Sequence, residues 1–364
     1  MSRPKVFAFA PPPWIEAQGE SLSASDCELV MGSPSWYMPH GNHEAAICEM
    51  ATNADAFIGT SLRSNPINKT IMRAAKNLRI IAKVTIGVDD IDIDAATELG
   101  ILVTHAPTEA NWGGVAEGAV CMILDILKKT REKDDQVKQR KWRETNIKGI
   151  YLGAREEEGY AGIVIGIVGL GRCGSRVAQL MKPWGVRLLA CDPYIEEEKF
   201  THYGVEAVDF ATALELSDVI TLHTSLTDET HHMVNQAAFK QMKSSAVLIN
   251  TSRGGVVDEK ALVSALQNGD IEAAGIDAFE NEPVDPNSGL LDLGYKVLLS
   301  PHTVSDNIGS GLGPGIDWAN KAVLTAFEGR VPENVYNPAV IPRWRERFEG
   351  NSLFADLGSS VDAE

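Results

Sequence analysis

IVIGIVGLGRCG, at Ile163–Gly174, is the segment from which the fold of this chain can be inferred. A short apolar run followed by closely spaced glycines predicts a buried strand, a tight turn and the start of a helix. A second apolar stretch, 186–191, ends in Asp192, which lies 18 residues after Gly174. Strand, glycine turn, helix and a second strand ending in an acid form the unit that binds dinucleotides.

Each glycine of the motif has its own physical reason. Gly169 makes the tight turn, Gly171 lets backbone N–H groups approach a pyrophosphate, and Gly174 lets the helix pack closely on the strand. The positive end of the helix then points at the phosphates. Arg172 and Cys173 lie inside the same turn and are predicted to contribute to the cofactor site, with Cys173 as a small apolar filler. A purely structural glycine turn is the alternative, which the flanking strands and acid disfavour.

Asp192 also predicts which cofactor is bound. Its carboxylate can accept hydrogen bonds from the adenosine ribose hydroxyls. NADP carries a 2′-phosphate at that position, and Pro193 and Tyr194 follow instead of an arginine. Two like unit charges about 4 Å apart at an effective dielectric of about 20 repel by roughly 4 kcal/mol. The sequence therefore predicts NAD over NADP.

Composition excludes several classes of protein. With 364 residues, 44% of them hydrophobic and 23% charged, about two globular domains are expected. The net charge of −17 repels phosphate backbones, so nucleic acid is not an expected partner. No apolar run approaches the length of a membrane span, and neither a signal peptide nor a membrane partner is expected. Five cysteines without metal or disulfide spacing predict a cytoplasmic protein with no metal site.

Strands and helices alternate on both sides of the glycine motif, which predicts an α/β protein with parallel sheets covered on both faces. A long helix is expected at about 115–140, and residues 343–364 are predicted to be a polar surface extension. The expected strands are 6–9, 56–59, 78–84, 101–104, 163–168, 186–191, 219–223, 246–250, 273–277 and 296–300, and the expected later helices are 236–242, 259–268 and 316–328.

Three charged or titratable residues follow successive predicted strands, namely Arg253, Glu282 and His302. Ligands of open α/β sheets bind outside the carboxyl ends of the strands, so these residues are candidates for catalysis. Taken singly, each is compatible with an ordinary surface loop. Their occurrence together beside a nucleotide motif favours an active site.

These motifs together resemble the D-isomer-specific 2-hydroxyacid dehydrogenases, over about residues 50–338. The resemblance implies a Rossmann-type doubly wound parallel sheet domain inserted into a discontinuous flavodoxin-like α/β substrate domain. The predicted domains are 1–106 with 307–340 for substrate, 107–306 for NAD, and 341–364 as a C-terminal extension. The segments that carry the resemblance are 88–92, 111–117, 167–174, 222–230, 250–258, 277–283 and 300–303.

The resemblance also implies a chemistry, in which hydride passes between NAD and C2 of a D-2-hydroxy or 2-keto acid. His302 would be the acid and base at the substrate oxygen. Glu282 would orient the imidazole and raise its pKa. Arg253 would bind the substrate carboxylate through its planar guanidinium. Three polar residues at strand ends are implied as further cofactor contacts: His223, Thr251 and Asp277.

Substrate contacts are implied as well, through the backbone amides of Ile86 and Gly87 and through Asn111. The sequence departs from the usual family pattern at two positions near these contacts. Thr85 replaces a common glycine, and Asp90 replaces a common asparagine. Arg63 matches a position that helps hold the substrate phosphate in 3-phosphoglycerate dehydrogenases. A solvated residue at a strand end is the alternative for that arginine.

Alternatives with the same fold are a formate or phosphite dehydrogenase and an NAD-sensing corepressor-like scaffold. Formate dehydrogenases have glutamine in place of Glu282, which argues against that enzyme. The family resemblance also implies a homodimer formed through the helix at about 115–139. Its apolar residues suit an isologous interface or an intramolecular core equally well: Val120, Met122, Ile123 and Leu124.

Overall fold

A computed structural model describes residues 3–11, 22, 25–34, 42–62, 65–143, 147–308 and 312–354. The chain divides into two compact units, one comprising Met1–Asn111 with Ser310–Glu364 and the other Trp112–Gly309. The chain thus leaves the first unit, forms the second, and returns. The predicted boundaries, after residues 106 and 306, differ from these limits by a few residues.

The first unit contains a parallel sheet of strand order β2-β1-β3-β4-β5. That order is the flavodoxin-like doubly wound arrangement, as predicted from the resemblance. Strand β2 was not predicted, because it is a short edge strand with exposed ends. The elements of this part are β1 Lys5–Phe9, β2 Glu28–Met31, α1 Glu44–Ala51, β3 Ala56–Gly59, α2 Lys69–Ala74, β4 Ile80–Lys83, α3 Ile93–Leu99 and β5 Leu102–Thr104.

The second unit contains a parallel sheet of order β12-β11-β10-β9-β6-β7-β8. The chain reverses its direction of winding between β6 and β9, which is the Rossmann switch point where dinucleotides bind. Its elements are α4 Glu109–Lys128, which starts in the first unit, α5 Thr130–Lys138, β6 Val164–Val168, α6 Arg172–Met181, β7 Arg187–Cys191, α7 Glu197–Tyr203, β8 Glu206–Ala207, α8 Phe210–Leu216, β9 Val219–Leu222, α9 Gln236–Gln241, β10 Val247–Asn250, α10 Glu259–Asn268, β11 Ala273–Ile276 and β12 Val297–Leu299.

The long helix predicted at 115–140 is two helices, because Lys129 adopts a left-handed conformation with φ of 55°. Helix α4 buries Met122 and Ile123 in the core of the second unit, so these two residues have an intramolecular packing role. Helix α4 is also long and apolar enough, at a mean hydropathy of 1.2, to meet the length and composition criteria for a membrane span. Of the apolar stretch of α4, 39% is buried within the structure.

The carboxyl-terminal helices α11, Gly313–Phe327, and α12, Ile341–Phe348, belong to the first unit and share a core with its sheet. Trp344 is fully buried there, and its indole N–H donates to the Arg79 carbonyl at 2.9 Å. The prediction of a surface extension from residue 341 therefore does not hold for α12. The polar composition concealed two aromatic residues, Trp344 and Phe348, whose spacing of four places them on one helix face.

Candidate active site

The glycine turn after β6 has the packing that a dinucleotide site requires. Gly169 has a φ of 90°, and a Cβ there would lie 2.7 Å from the His223 carbonyl oxygen. A Cβ on Gly174 would lie 2.0 Å from the Gly169 carbonyl oxygen. By contrast, a Cβ on Gly171 would meet no described heavy atom within 4 Å. Gly169 and Gly174 thus allow the turn to form, whereas Gly171 leaves its outer surface open.

This contrast predicts different effects for two alanine variants. Gly174→Ala should lower Tm by about 3–10 °C, since overpacking costs about 1–3 kcal/mol. Gly171→Ala should leave Tm nearly unchanged but raise the dissociation constant of NADH at least about tenfold, the equivalent of one charge-assisted hydrogen bond. Thermal unfolding and NADH fluorescence titration measure the two effects. Equal NADH affinity in Gly171→Ala and the parent protein would contradict the placement of the pyrophosphate.

Asp192, at the end of β7, is held against the glycine turn. Its Oδ2 accepts from the Leu170 amide at 2.8 Å and its Oδ1 accepts from the Tyr194 amide at 3.1 Å. The Tyr194 hydroxyl donates to the Glu229 carboxylate. That hydrogen bond, and then the charges of Glu229 and Asp192, raise the pKa of Tyr194. Asp192 is therefore fixed against the glycine turn, and Glu229 is linked to the segment after Asp192 through the Tyr194 hydroxyl.

Buried polar atoms at the switch point fit a polar cofactor. His223 Nδ1, Thr224 Oγ1 and Thr251 Oγ1 are buried without a hydrogen-bond partner among the described residues. Such atoms are uncommon in proteins unless a ligand or water satisfies them. Burial lowers the pKa of His223 to about 4, so its imidazole is neutral, and its Nε2 lies 2.9 Å from Thr221 Oγ1. Sequence analysis missed Thr224, although it directly follows His223 at the same strand end.

Glu282 and His302 are paired. The carboxylate oxygen Oε1 of Glu282 lies 2.7 Å from His302 Nδ1 and also accepts from the Phe279 amide at 3.1 Å. Because a carboxylate only accepts, Nδ1 of the imidazole carries the proton. This arrangement fixes the tautomer and orientation of the ring, so the pair can take part in proton transfer.

The backbone after His302 is anchored at two places. Asp277 Oδ1 accepts from the amides of Thr303 and Val304 at 2.9 and 3.3 Å. Burial raises the pKa of Asp277, and hydrogen bonds together with the charge of His302 oppose that rise. A Cβ on Gly118 of α4 would lie 2.4 Å from Val304 Cβ, so only glycine allows this close approach. Asp277, predicted as a cofactor contact, thus also positions the segment that carries the imidazole.

The turn that carries Arg253 packs against the loop that carries Glu282. A Cβ on Gly254 would lie 1.9 Å from the Phe279 carbonyl carbon, so the two backbones are in contact. Burial raises the pKa of Cys173 to about 11, while the nearby charges of Arg253 and Arg172 act in the opposite direction. The Cys173 thiol is therefore protonated, and the Arg253 guanidinium lies within electrostatic range of the glycine turn.

In the first unit, the predicted substrate loop follows β4. Two backbone carbonyls of this loop accept hydrogen bonds from within the same unit. The Thr85 carbonyl accepts from the Ala106 amide at 3.0 Å, and the Ile86 carbonyl accepts from His105 Nδ1 at 3.2 Å. Among the described residues no hydrogen bond uses the amides of Ile86 and Gly87. The loop thus has the amides that an anion site needs. Asn111, another predicted substrate contact, lies near the start of α4, and its backbone amide donates to the Thr108 carbonyl. Arg63, the last predicted substrate contact, lies outside the described residues.

The departure from the family at Asp90 has a structural reason that sequence analysis missed. Lys83, the last residue of β4, is fully buried and pairs with both oxygens of Asp90, at 2.6 and 2.8 Å. Asp90 Oδ2 also accepts from the Leu62 amide at 2.8 Å. A buried ammonium needs a counter-charge, and an asparagine here would not provide one. The pair ties both ends of the substrate loop to the turn after β3.

Comparisons with known proteins agree with this geometry. Residues 120–304 match the family described as D-isomer specific 2-hydroxyacid dehydrogenase, NAD binding domain. The chain is 38% identical to a glyoxylate reductase of Korarchaeum cryptofilum over 81% of this chain and 86% of that one. It is 37% identical to a D-3-phosphoglycerate dehydrogenase of Archaeoglobus fulgidus over 76% of this chain, but spans only 50% of that relative. The structure of Escherichia coli D-lactate dehydrogenase superposes with a TM-score of 0.74 and 26% identity, covering 91% of this chain and 99% of that one.

Proposed function

Because this chain belongs to the D-isomer specific 2-hydroxyacid dehydrogenase family, we propose that it transfers hydride between NAD and C2 of a D-2-hydroxy acid or its 2-keto acid. The observation that carries the proposal is the 2.7 Å contact between Glu282 and His302 in the NAD-binding unit. Hydride transfer to a carbonyl carbon requires that a proton be transferred to the carbonyl oxygen. An imidazole that is oriented by a carboxylate and lies in the unit that binds the nucleotide can donate that proton.

In the reducing direction, the bound NADH supplies the hydride. His302 donates a proton from Nε2 to the developing alkoxide, while Glu282 holds the opposite ring nitrogen and stabilises the imidazolium. Arg253 binds the substrate carboxylate with two parallel N–H donors, which orients C2. The backbone of the glycine turn, with Asp192 at the ribose, holds the cofactor. Ile86, Gly87 and Asn111 stay predicted substrate contacts.

A panel of 2-keto acids with NADH tests this function. The relatives named glyoxylate reductase and D-3-phosphoglycerate dehydrogenase suggest glyoxylate, hydroxypyruvate, pyruvate and 3-phosphohydroxypyruvate as members. Oxidation of NADH followed by absorbance should be rapid with at least one of them. Tight NADH binding without turnover of any member would contradict the enzyme and favour a cofactor-sensing scaffold.

Preference for NAD should be large. The carboxylate of Asp192 is held against the glycine turn, where it would accept from the ribose hydroxyls, and repulsion of roughly 4 kcal/mol between two unit charges about 4 Å apart at an effective dielectric of about 20 reduces NADP binding. After screening, kcat/KM should favour NADH over NADPH by about 10- to 1000-fold. Steady-state kinetics with both cofactors measure the ratio, and Asp192→Ala should reduce it. Comparable efficiencies in the parent protein would refute this assignment.

Location and assembly complete the proposal. All five cysteines are free thiols, which supports a reducing, cytoplasmic setting. We also propose a two-fold homodimer, supported by the family resemblance of α4. Light scattering at micromolar concentration tests the assembly, and a monomeric mass would contradict it.

A further inference from the structure

Two adjacent histidines, His231 and His232, have no role in the proposed chemistry, yet their geometry is unusual. Their rings stack with centroids 4.0 Å apart and planes inclined by 22°. His232 has a φ of 51°, a left-handed conformation that is uncommon for a residue other than glycine. Its amide donates to the Gly255 carbonyl at 2.8 Å. Residues held in this way concentrate at functional sites, where the surroundings enforce the conformation.

The side chain of His232 reaches a different loop. Its Nε2 contacts Glu280 Oε1, and both side chains are partly exposed, at 35% and 26%. Glu280 lies two residues before Glu282, in the loop after β11. The Glu280 amide in turn donates to Glu259 at 3.4 Å. The imidazole therefore connects the segment after β9 with the loop that carries the partner of His302.

The turn that carries Arg253 lies between these two segments. On one side, Gly254 contacts the backbone of Phe279 and Glu280, at distances that would admit no Cβ. On the other side, a Cβ on Gly255 would lie 3.1 Å from Leu226 and 3.7 Å from His231. The His232–Glu280 pair thus spans the turn from one neighbouring segment to the other.

We propose that the His232–Glu280 pair positions Arg253 and Glu282 for catalysis, without touching substrate or cofactor. The proposal rests on the function proposed above, since it concerns the same site. Partly exposed ion pairs contribute little to global stability, so stability alone does not explain a strained histidine here. Small displacements of reacting groups, in contrast, reduce rates strongly. When the pair is broken, the turn that carries Arg253 and the loop that carries Glu282 are no longer held by the contact between His232 and Glu280.

A series of variants at residue 280 tests the proposal, because it leaves the backbone of His232 unchanged. Glu280→Ala should lower kcat for the keto acid by about 10- to 100-fold and raise its KM, because Arg253 and Glu282 are both displaced. Glu280→Gln retains an acceptor for the imidazole N–H and should recover most of the activity. NADH affinity and binding stoichiometry, measured by fluorescence titration, should stay at parent values in both variants.

The matched control is Lys243→Met. Lys243 pairs with Asp218 at 2.7 Å, with side chains 37% and 26% exposed, and the two residues lie before β10 and β9, at the amino end of the sheet. This variant should keep the parent kcat and KM. If Glu280→Ala has the same kcat and KM as the parent protein, the proposal is wrong. It is also wrong if kcat falls only in proportion to the fraction of protein that still binds NADH, with KM unchanged, because that result indicates partial misfolding. Absence of turnover in the parent protein, by contrast, would count against the proposed function itself.

Discussion

His302→Ala is expected to lower kcat by about 10²- to 10⁴-fold, the usual contribution of a positioned acid or base. His302 Nδ1 lies 2.7 Å from Glu282 and donates its proton to that carboxylate. The other ring nitrogen, Nε2, is therefore the one that exchanges a proton with the substrate. Without it, water must protonate the developing alkoxide. The measurement is steady-state oxidation of NADH at saturating concentrations of the best keto acid from the panel.

Cofactor binding separates this effect from misfolding. NADH affinity should stay close to that of the parent protein, because the glycine turn and Asp192 belong to different loops. His202→Ala is a suitable control, since His202 is exposed on α7 and packs its ring on Tyr203. The control should have parent activity. Turnover near the parent rate in His302→Ala would eliminate the proposed acid and base role.

Arg253→Lys is expected to lower kcat/KM for the keto acid by about 100-fold or more, although the charge is kept. A planar guanidinium makes two parallel hydrogen bonds to a carboxylate, whereas an ammonium is a point charge. Hydrogen bonds to charged groups contribute about 1.5–3 kcal/mol each, and a loss of about 1.4 kcal/mol is tenfold in rate. Steady-state kinetics over a range of keto acid concentrations measure the effect.

The control for this substitution is Arg187→Lys. Arg187 pairs with Glu206 between two neighbouring strands on the surface of the same unit, at 2.7 Å. That change should leave kcat/KM unaltered, because exposed pairs contribute little and this one is remote from the strand ends that carry the site. If Arg253→Lys retains kcat/KM within about threefold, the guanidinium does not bind the substrate carboxylate.

Much of the fold follows from short-range patterns in the chain. The strands of both sheets were predicted from apolar runs, with the exception of the exposed edge strand Glu28–Met31 and the short β8. The glycine turn was predicted because Gly169 and Gly174 meet backbone atoms that are close in sequence or on the next strand. The candidates Arg253, Glu282 and His302 were found because parallel strands end at one edge of a sheet.

Other features depend on partners that are remote in sequence and carry no pattern of their own. The docking of Trp344 belongs to this group, since its indole N–H donates to the carbonyl of Arg79, 265 positions earlier in the chain. Polar composition around residue 343 favoured an extension, yet Trp344 and Phe348 bury their apolar side chains in the core and bring the helix against it. Composition averages over a segment, whereas packing depends on single side chains.

Local chemistry in the chain was therefore enough to predict the two parallel sheets, the NAD turn and the identity of the three candidate catalytic residues. Glycine sterics and the alternation of strands with helices act over short spans, so a single sequence reveals them. The family resemblance implied that Glu282 orients His302, and the structure shows that contact; packing in three dimensions alone established that Asp277 anchors the segment beyond and that His232 meets Glu280 across the Arg253 turn. Those contacts join residues 20 to 48 positions apart, and a contact at such separation exists only once the strands have been ordered in the sheet.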